Sequence, residues 1–180
     1  IKAVSDLAKR RGLRVHMDGA RIFNAAVALG LDVRQFTQHV DTLMFCLSKG
    51  LSAPIGSLVV GEREFVDRAR KYRKMLGGGM RQAGVIAAPG IIAIGKMVER
   101  LKDDHANARL LAAGLSKIEG ISLDLSRVQT NIVLYDVTGV GVDGKGWVAE
   151  LGKHGRRAGA QELGRVRMVT HRGIEREDIE

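Results

Sequence analysis

The chain has 180 residues and a formal net charge of +9, and 45% of its residues are hydrophobic although only 4% are aromatic. This length suffices for one domain or for a large piece and a small one, and the core must be built from aliphatic side chains. With 23 glycines and only 2 prolines, the composition is typical of an α/β protein with tight turns and argues against a disordered chain.

A single cysteine, Cys46, cannot form an internal disulfide bond. This indicates a reducing compartment, and we expect a cytoplasmic protein. No apolar stretch is long enough to span a membrane, so no membrane partner is expected. The chain begins with Ile1, and both of its ends lie within helical patterns. We therefore expect it to be a piece of a longer protein.

The basic residues concentrate in 63–81 and 153–176. Such clusters could bind nucleic acid or small anions, or could simply form a solvated face at a subunit contact. Only Phe65 and Tyr72 are aromatic within the first cluster, so nucleic-acid bases would find few aromatic rings to stack on. We therefore expect no nucleic-acid partner.

The first half of the chain alternates strand and helix patterns. Residues 13–17 predict a short strand, and apolar positions at helical spacing predict a helix over 22–29. Residues 42–47 are nearly all apolar, as in a strand buried on both faces of a parallel sheet. Another strand is predicted over 56–61 and an amphipathic helix over 64–76.

The pattern changes in the second half. One long helix is predicted over 91–118, and shorter elements follow it. We predict strands over 121–125, 131–137 and 166–169, and helices over 145–154 and 174–180. The boundary between an α/β sheet domain (1–103) and a smaller α+β domain (104–180) is placed inside the long helix.

Asp18 and Lys49 each follow a predicted strand, and ligands of open α/β sheets bind at the carboxyl ends of strands. A lysine directly after a buried strand is unusual because burying an unpaired ammonium is expensive, whereas a lysine bonded to a carbonyl compound as a Schiff base escapes that cost. A carboxylate facing a pyridine nitrogen would keep that nitrogen protonated. The alternatives are a lysine that reaches into water and an aspartate that caps a helix, and the two residues alone leave these open.

Four motifs, in order through almost the whole chain, resemble the low-specificity L-threonine aldolases. They are HMDGAR at 16–21, SKGLSAPIGS at 48–57, KMLGGGMRQ at 74–82 and RMVTH at 167–171. These aldolases are fold type I enzymes that depend on pyridoxal 5′-phosphate (PLP). The resemblance therefore implies the C-terminal part of a large PLP-binding domain, mainly a parallel sheet with helices, followed by a truncated small domain.

The resemblance also implies roles for individual residues. Lys49 matches the catalytic lysine that holds PLP as a Schiff base, and Asp18 matches the aspartate on its pyridine nitrogen. Arg21 matches an arginine near the phenolic oxygen of the cofactor and the substrate carboxylate. Arg81 ends a segment, 77–81, that resembles the family's subunit-contact loop, and it could meet the cofactor phosphate, possibly in the neighbouring subunit. Arg167 matches the arginine that grips the substrate carboxylate through two parallel hydrogen bonds; its alternative is a surface arginine on an edge strand.

Other features are less specific. Backbone N–H groups of residues 77–79 could meet a phosphate at a helix start, or these glycines could be a simple break. The chain departs from the family pattern over 155–162, where GRRAGAQE replaces a short apolar strand. No histidine or cysteine spacing suggests a metal site. Cys46 is expected to be a small buried residue, His16 to lie within a strand, and three histidines to lie on the surface: His39, His105 and His154.

The resemblance implies retro-aldol cleavage of L-threonine or L-allo-threonine to glycine and acetaldehyde. The family draws its base, its ring-stacking residue and its main phosphate-binding turn from sequence outside this chain, so we expect the chain alone to be inactive. We expect the complete protein to be a homo-oligomer, a dimer or a tetramer. The alternatives are another fold type I reaction, such as β-elimination or transamination, and a non-catalytic protein that keeps the fold.

Overall fold

The computed structural model describes all residues, 1–180, and they form two units, Ile1–Glu99 and Arg100–Glu180. The division falls four residues before the predicted domain boundary between 103 and 104. None of the helices combines the length and the apolar character needed to span a lipid bilayer.

The first unit contains one three-stranded sheet and five helices. In chain order its elements are α1 (Lys2–Arg10), β1 (His16–Asp18), α2 (Ile22–Leu29), α3 (Arg34–Thr37), β2 (Thr42–Cys46), β3 (Ser57–Gly61), α4 (Arg63–Met75) and α5 (Gly84–Lys96). Strand β1 pairs with β2 in parallel, and β2 pairs with β3 antiparallel. Helices combined with a partly parallel sheet confirm the predicted α/β class.

Strand β2 lies at the centre of this sheet, and its side chains alternate in burial. Leu43 and Phe45 are buried, and the ring of Phe23 on α2 meets Phe45 edge to face at 5.3 Å. The intervening residues, Thr42, Met44 and Cys46, are only half-buried. The prediction of a strand buried on both faces is therefore only partly met, and Cys46 is half-buried where a buried residue was predicted.

The second unit contains an antiparallel sheet packed under helices. Its elements are α6 (Leu101–Leu115), β4 (Ile132–Asp136), α7 (Gly144–Lys153), β5 (Gly159–Ala160), β6 (Arg165–Val169) and α8 (Arg176–Ile179), with 3₁₀ turns at Leu125–Arg127 and Thr138–Val140. The strand order is β4-β6-β5. The core joins α6 to one face of this sheet through Ala108, Ala112, Val133, Tyr135 and Val166.

Two predicted elements of this region are wrong. The helix predicted over 91–118 is two helices, α5 and α6, separated by residues 97–100. Asp103 and Asp104 occupy the first turn of α6, where acidic side chains favour a helix start. The strand predicted over 121–125 is reduced to one bridge between Ser122 and Asp136, because the Asp124 side chain accepts a hydrogen bond from the Ser126 N–H and turns the chain.

The arginine-rich segment 155–162 still supplies a strand. Strand β5 is short and exposed, and it pairs antiparallel with β6, with Gly159 opposite Arg167 and Ala160 opposite Val166. The backbone pairing therefore survives without the apolar side chains that the family pattern has here.

Candidate active site

Asp18 ends β1 beside the carboxyl-terminal half of β2. Its register partner on β2 is Met44. The pairing continues past the strand, because the Gly19 N–H donates to the Met44 carbonyl at 2.9 Å and the Cys46 N–H donates to the Ala20 carbonyl at 3.4 Å. The sheet therefore fixes the backbone that carries Asp18 at the end of β2 that leads toward Lys49.

The Asp18 carboxylate is exposed, and its Oδ1 accepts a hydrogen bond from the Ala20 N–H at 3.1 Å. Helix α2 begins only at Ile22, and its N-cap residue is Arg21, which makes no capping hydrogen bond through its side chain. Asp18 is therefore not the cap of this helix. It stabilises the turn that follows β1 and leaves the carboxylate exposed at the carboxyl end of that strand.

Lys49 lies in a loop that closes back onto the end of β2. The Leu47 N–H donates to the Gly56 carbonyl at 2.9 Å, and the Leu47 carbonyl accepts from the Ala53 N–H at 3.0 Å. Leu51 and Ala53 are buried and anchor the loop. These contacts hold residues 48–56 as a compact excursion at the same sheet edge as Asp18.

The Lys49 side chain itself is exposed, which corrects the expectation of a lysine buried behind an apolar strand. The buried stretch ends at Leu47, and the chain has already turned into the loop at Ser48. The turn is tight: the Ser52 N–H donates to the Lys49 carbonyl at 2.9 Å, and Ser52 adopts a left-handed conformation with φ 61°. In this unit Lys49 therefore follows the end of β2 with its side chain exposed.

Arg21 and Arg81 occupy different settings in the same unit. Arg21 is half-buried and follows Asp18 across a turn, three residues further on. Arg81 is exposed, in the segment between α4 and α5.

The glycines that precede Arg81 do not begin a helix, contrary to the phosphate-binding hypothesis. The Gly77 N–H donates to the Lys74 carbonyl, and the Gly78 N–H donates to the Arg73 carbonyl at 2.8 Å. These N–H groups satisfy the carbonyls at the end of α4, as is usual at a helix C-terminus. The next helix, α5, begins at Gly84, so two of the three glycine donors are already used.

Arg167 lies on β6 of the second unit, between Leu134 of β4 and Gly159 of β5. Its neighbours Val166 and Met168 contribute to the core. Because successive residues of a strand point to opposite faces, Arg167 lies on the face of the sheet away from Val166. Its side chain is half-buried.

The second unit also contains a buried polar group that the sequence did not predict. His105 was expected on the surface, but it is buried, and burial lowers its pKa, with a smaller contribution from Arg109. Asp104 beside it is buried as well and pairs with the Arg100 guanidinium. Burial raises the pKa of Asp104, and Arg100 opposes this. Asp104 lies in the first turn of α6, and its backbone carbonyl accepts a hydrogen bond from the Thr170 hydroxyl just after β6.

The chemistry of the residues at the carboxyl ends of β1 and β2 fits PLP. The cofactor needs a primary amine for its aldehyde and a carboxylate for its pyridine nitrogen. Lys49 offers an exposed amine, and Asp18 offers an exposed carboxylate of which Oδ1 alone is engaged in the local turn. Both are carried by backbone that two neighbouring parallel strands position.

The chain is similar in sequence to curated proteins over almost its whole length. Over 98–100% of its length the chain is 44% identical to a probable low-specificity L-threonine aldolase 2 and 40% identical to low-specificity L-threonine aldolase 1, both from Arabidopsis thaliana. It is 41% identical over 99% of its length to the low specificity L-threonine aldolase of Escherichia coli K12. The chain covers 51%, 49% and 52% of these proteins, so it spans about half the length of the curated relatives it matches.

Solved structures share the fold. A crystal structure of a candidate aromatic amino acid beta-eliminating lyase/threonine aldolase from Exiguobacterium sp. 255-15 superposes with a TM-score of 0.77 at 17% identity. The superposition covers 99% of this chain and 52% of that one, and it supports the predicted fold type I architecture. The family model for beta-eliminating lyases matches residues 1–138. The chain therefore belongs to the beta-eliminating lyase family.

Proposed function

We propose that the protein is a PLP-dependent lyase that cleaves L-threonine and L-allo-threonine to glycine and acetaldehyde. The similarity to proteins named low-specificity L-threonine aldolases supports this proposal. The single structural observation that carries it is the placement of Asp18 and Lys49 at the same end of two adjacent parallel strands. The two units would then represent the end of the large PLP-binding domain and the small domain.

Lys49 and Asp18 would hold the cofactor. Lys49 would bond covalently to it through the Nζ atom, and Asp18 would place a negative charge at its pyridine nitrogen. When bound, PLP withdraws electrons from the substrate Cα and so allows the Cα–Cβ bond to break. Asp18 is suited to this role because the turn that follows it fixes the carboxylate while leaving it exposed.

The arginines would bind the anionic groups. A guanidinium presents a planar set of N–H donors that matches a carboxylate with two parallel hydrogen bonds. Arg167 would therefore bind the substrate carboxylate, and Arg21 would assist it and contact the cofactor. Arg81 would meet the cofactor phosphate in its own or a neighbouring subunit through its side chain, since Gly77 and Gly78 have no free N–H to add.

The complete protein would be a homo-oligomer, a dimer or a tetramer. Support comes from the segment that includes the end of α4 and the residues after it, which exposes large apolar side chains. These are Tyr72, Met75, Leu76, Met80 and Val85. Exposed apolar patches on soluble proteins mark contact surfaces.

The single unpaired cysteine supports a reducing compartment such as the cytoplasm.

A second candidate reaction is β-elimination, which the description of the matched family favours. The two reactions leave different products from different substrates. An aldolase forms glycine from L-threonine, whereas a β-eliminating lyase forms pyruvate from L-serine or L-tryptophan.

The test is to incubate the purified full-length protein and PLP with each of these amino acids and to quantify glycine and pyruvate. Formation of glycine from L-threonine and L-allo-threonine, abolished in Lys49→Ala, supports the proposal. Formation of pyruvate from L-serine or L-tryptophan without glycine from threonine would replace the aldolase by the lyase. No product from any of them would favour a non-catalytic protein that keeps the fold.

A further inference from the structure

Strand β6 ends in a cluster of buried hydrogen bonds, three residues after Arg167. The cluster consists of Thr170, Asn131 and the backbone carbonyl of Asp104, and all three residues are at most 2% exposed. Arg100 lies behind it and binds the Asp104 carboxylate. A buried polar cluster in an aliphatic core is costly to form and persists only where its hydrogen bonds have good geometry.

Thr170 makes three short hydrogen bonds within this cluster, and its hydroxyl also lies 3.5 Å from the Asn131 carbonyl oxygen. Its N–H donates to the Asn131 carbonyl at 3.0 Å, and its own carbonyl accepts from the Asn131 Nδ2 at 2.8 Å. Its hydroxyl donates to the Asp104 carbonyl on α6 at 2.6 Å. Backbone and side chain of Thr170 therefore fix the end of β6 both to the start of β4 and to the first turn of α6.

The register of β6 decides where Arg167 stands. A slip of one residue would turn Arg167 into the core face, and a slip of two would move it along the sheet by about 7 Å. The partner strand on the other side, β5, has only two residues, Gly159 and Ala160, so it contributes little to holding the register. Val166 and Met168 pack against α6 through apolar contacts, and the Thr170 hydroxyl adds the hydrogen bond closest in sequence to Arg167 that joins β6 to that helix.

We infer that Thr170 is a positioning residue for Arg167, and that its hydroxyl, bonded to the Asp104 carbonyl, sets the place at which Arg167 binds the substrate carboxylate. This inference rests on the proposed function, because it takes the substrate to be an amino acid that Arg167 binds. The Asp104–Arg100 pair supports the cluster by fixing the first turn of α6, to which the hydroxyl is bonded.

The test compares Thr170→Val, which keeps the shape but removes the hydroxyl, with Thr170→Ser, which keeps the hydroxyl. A carboxylate contact that is equally strong in substrate and transition state affects KM and leaves kcat unchanged. We expect Thr170→Val to raise the KM for L-threonine about tenfold, with kcat within about twofold of wild type, since small misplacements of a binding group are costly. Thr170→Ser should keep both constants within about twofold.

A second measurement does not depend on turnover. Glycine carries a carboxylate, whereas glycinamide carries an uncharged amide in its place. Each is added to the protein loaded with PLP, and the rise in melting temperature is measured. We expect Thr170→Val to reduce stabilisation by glycine and not by glycinamide. A merely structural role would reduce both or neither.

Two controls separate an effect on the position of Arg167 from an effect on the stability of the fold. Thr130→Val changes the same residue type one position before Asn131, at a side chain that is half-buried. Val137→Ala removes fully buried core volume from the same unit and lowers stability without touching the cluster. Neither should change KM for L-threonine. If Val137→Ala raises KM as Thr170→Val does, the inference is overturned.

An Arg167→Ala variant distinguishes failure of this inference from failure of the proposed function. If Arg167→Ala leaves KM and glycine binding unchanged, the proposed role of Arg167 is wrong. If Arg167→Ala impairs both while Thr170→Val has wild-type constants, Arg167 keeps its role and Thr170 does not position it.

Discussion

Gly19 donates its backbone N–H to the carbonyl oxygen of Met44 at 2.9 Å, and a Cβ atom built on Gly19 would lie 2.9 Å from that same oxygen. The backbone after β1 thus approaches β2 more closely than a side chain allows. The same contact that extends the parallel pairing beyond Asp18 requires glycine in the HMDGAR motif, so the position of Asp18 depends on Gly19.

Gly19→Ala should therefore destabilise the protein. The clash is with a backbone carbonyl, which cannot rotate away as a side chain can, and overpacking of this kind typically costs about 1–3 kcal/mol. Gly95→Ala is a matched control, because a Cβ at Gly95 on α5 meets nothing within 4 Å and alanine favours a helix. Chemical denaturation measures both free energies of unfolding. Equal stability of the two variants would contradict the account of Gly19.

Asp18 has two separable tasks, a local turn and a charge. Asp18→Asn keeps an oxygen that can accept the Ala20 N–H but removes the charge, whereas Asp18→Ala removes both. We expect Asp18→Asn to melt at the wild-type temperature while losing about a hundredfold or more of the activity, the scale of a lost electrostatic contact to a reacting centre. Asp18→Ala should also melt lower. An active Asp18→Asn protein would leave Asp18 as a turn residue only.

Ser52 adopts the left-handed conformation in the turn that begins at Lys49. Residues with a Cβ pay about 1–2 kcal/mol for that conformation, and β-branched residues are the least tolerant. Ser52→Gly should therefore be at least as stable as wild type, and Ser52→Val should be less stable by about 1 kcal/mol or more. Urea titrations give the order. Equal stability of the glycine and valine variants would mean that the turn does not require this conformation.

His105 should make stability depend on pH. Burial lowers its pKa in the folded state, whereas the pKa of a histidine in the unfolded chain is about 6.5. The contribution of neutral His105 to the free energy of unfolding is therefore complete above about pH 6.5. It is lost as the pH falls below that value toward the folded-state pKa, because His105 is protonated in the unfolded state before it is protonated in the folded state.

We expect the free energy of unfolding to fall between pH 7.5 and pH 5.5 on account of His105. In His105→Asn this part of the fall should disappear, whereas His154→Asn, at an exposed position, should keep it. An unchanged pH dependence in His105→Asn would contradict the assignment.

Much of the fold follows from local patterns in the sequence. Strand β2 and helix α4 lie within one or two residues of the predicted bounds, because an apolar run and a regular stripe are local signals. The residues that ended predicted elements early act through side chains. Asp124 turns the chain by accepting the Ser126 N–H, and acidic residues at 103 and 104 start a new helix.

The candidate site was less accessible to sequence reasoning than the strands that carry it. The HMDGAR and SKGLSAPIGS motifs located Asp18 and Lys49 correctly at strand ends, but the exposure of Lys49 depends on where the chain leaves β2. Thr170 was part of the RMVTH motif, yet its partner Asp104 lies 66 residues away. A contact over that separation has no local signal.

Covalent attachment of PLP to Lys49 can be detected by reductive trapping. The purified full-length protein is incubated with PLP, reduced with borohydride and digested, and the modified lysine is identified by peptide mass mapping. Lys96→Ala, at an exposed lysine of α5, serves as the matched control for Lys49→Ala. We expect a pyridoxyl adduct on Lys49 and visible absorbance before reduction. Both should be retained in Lys96→Ala and absent from Lys49→Ala. An adduct that maps to other lysines, or absorbance that survives in Lys49→Ala, would contradict covalent attachment to Lys49.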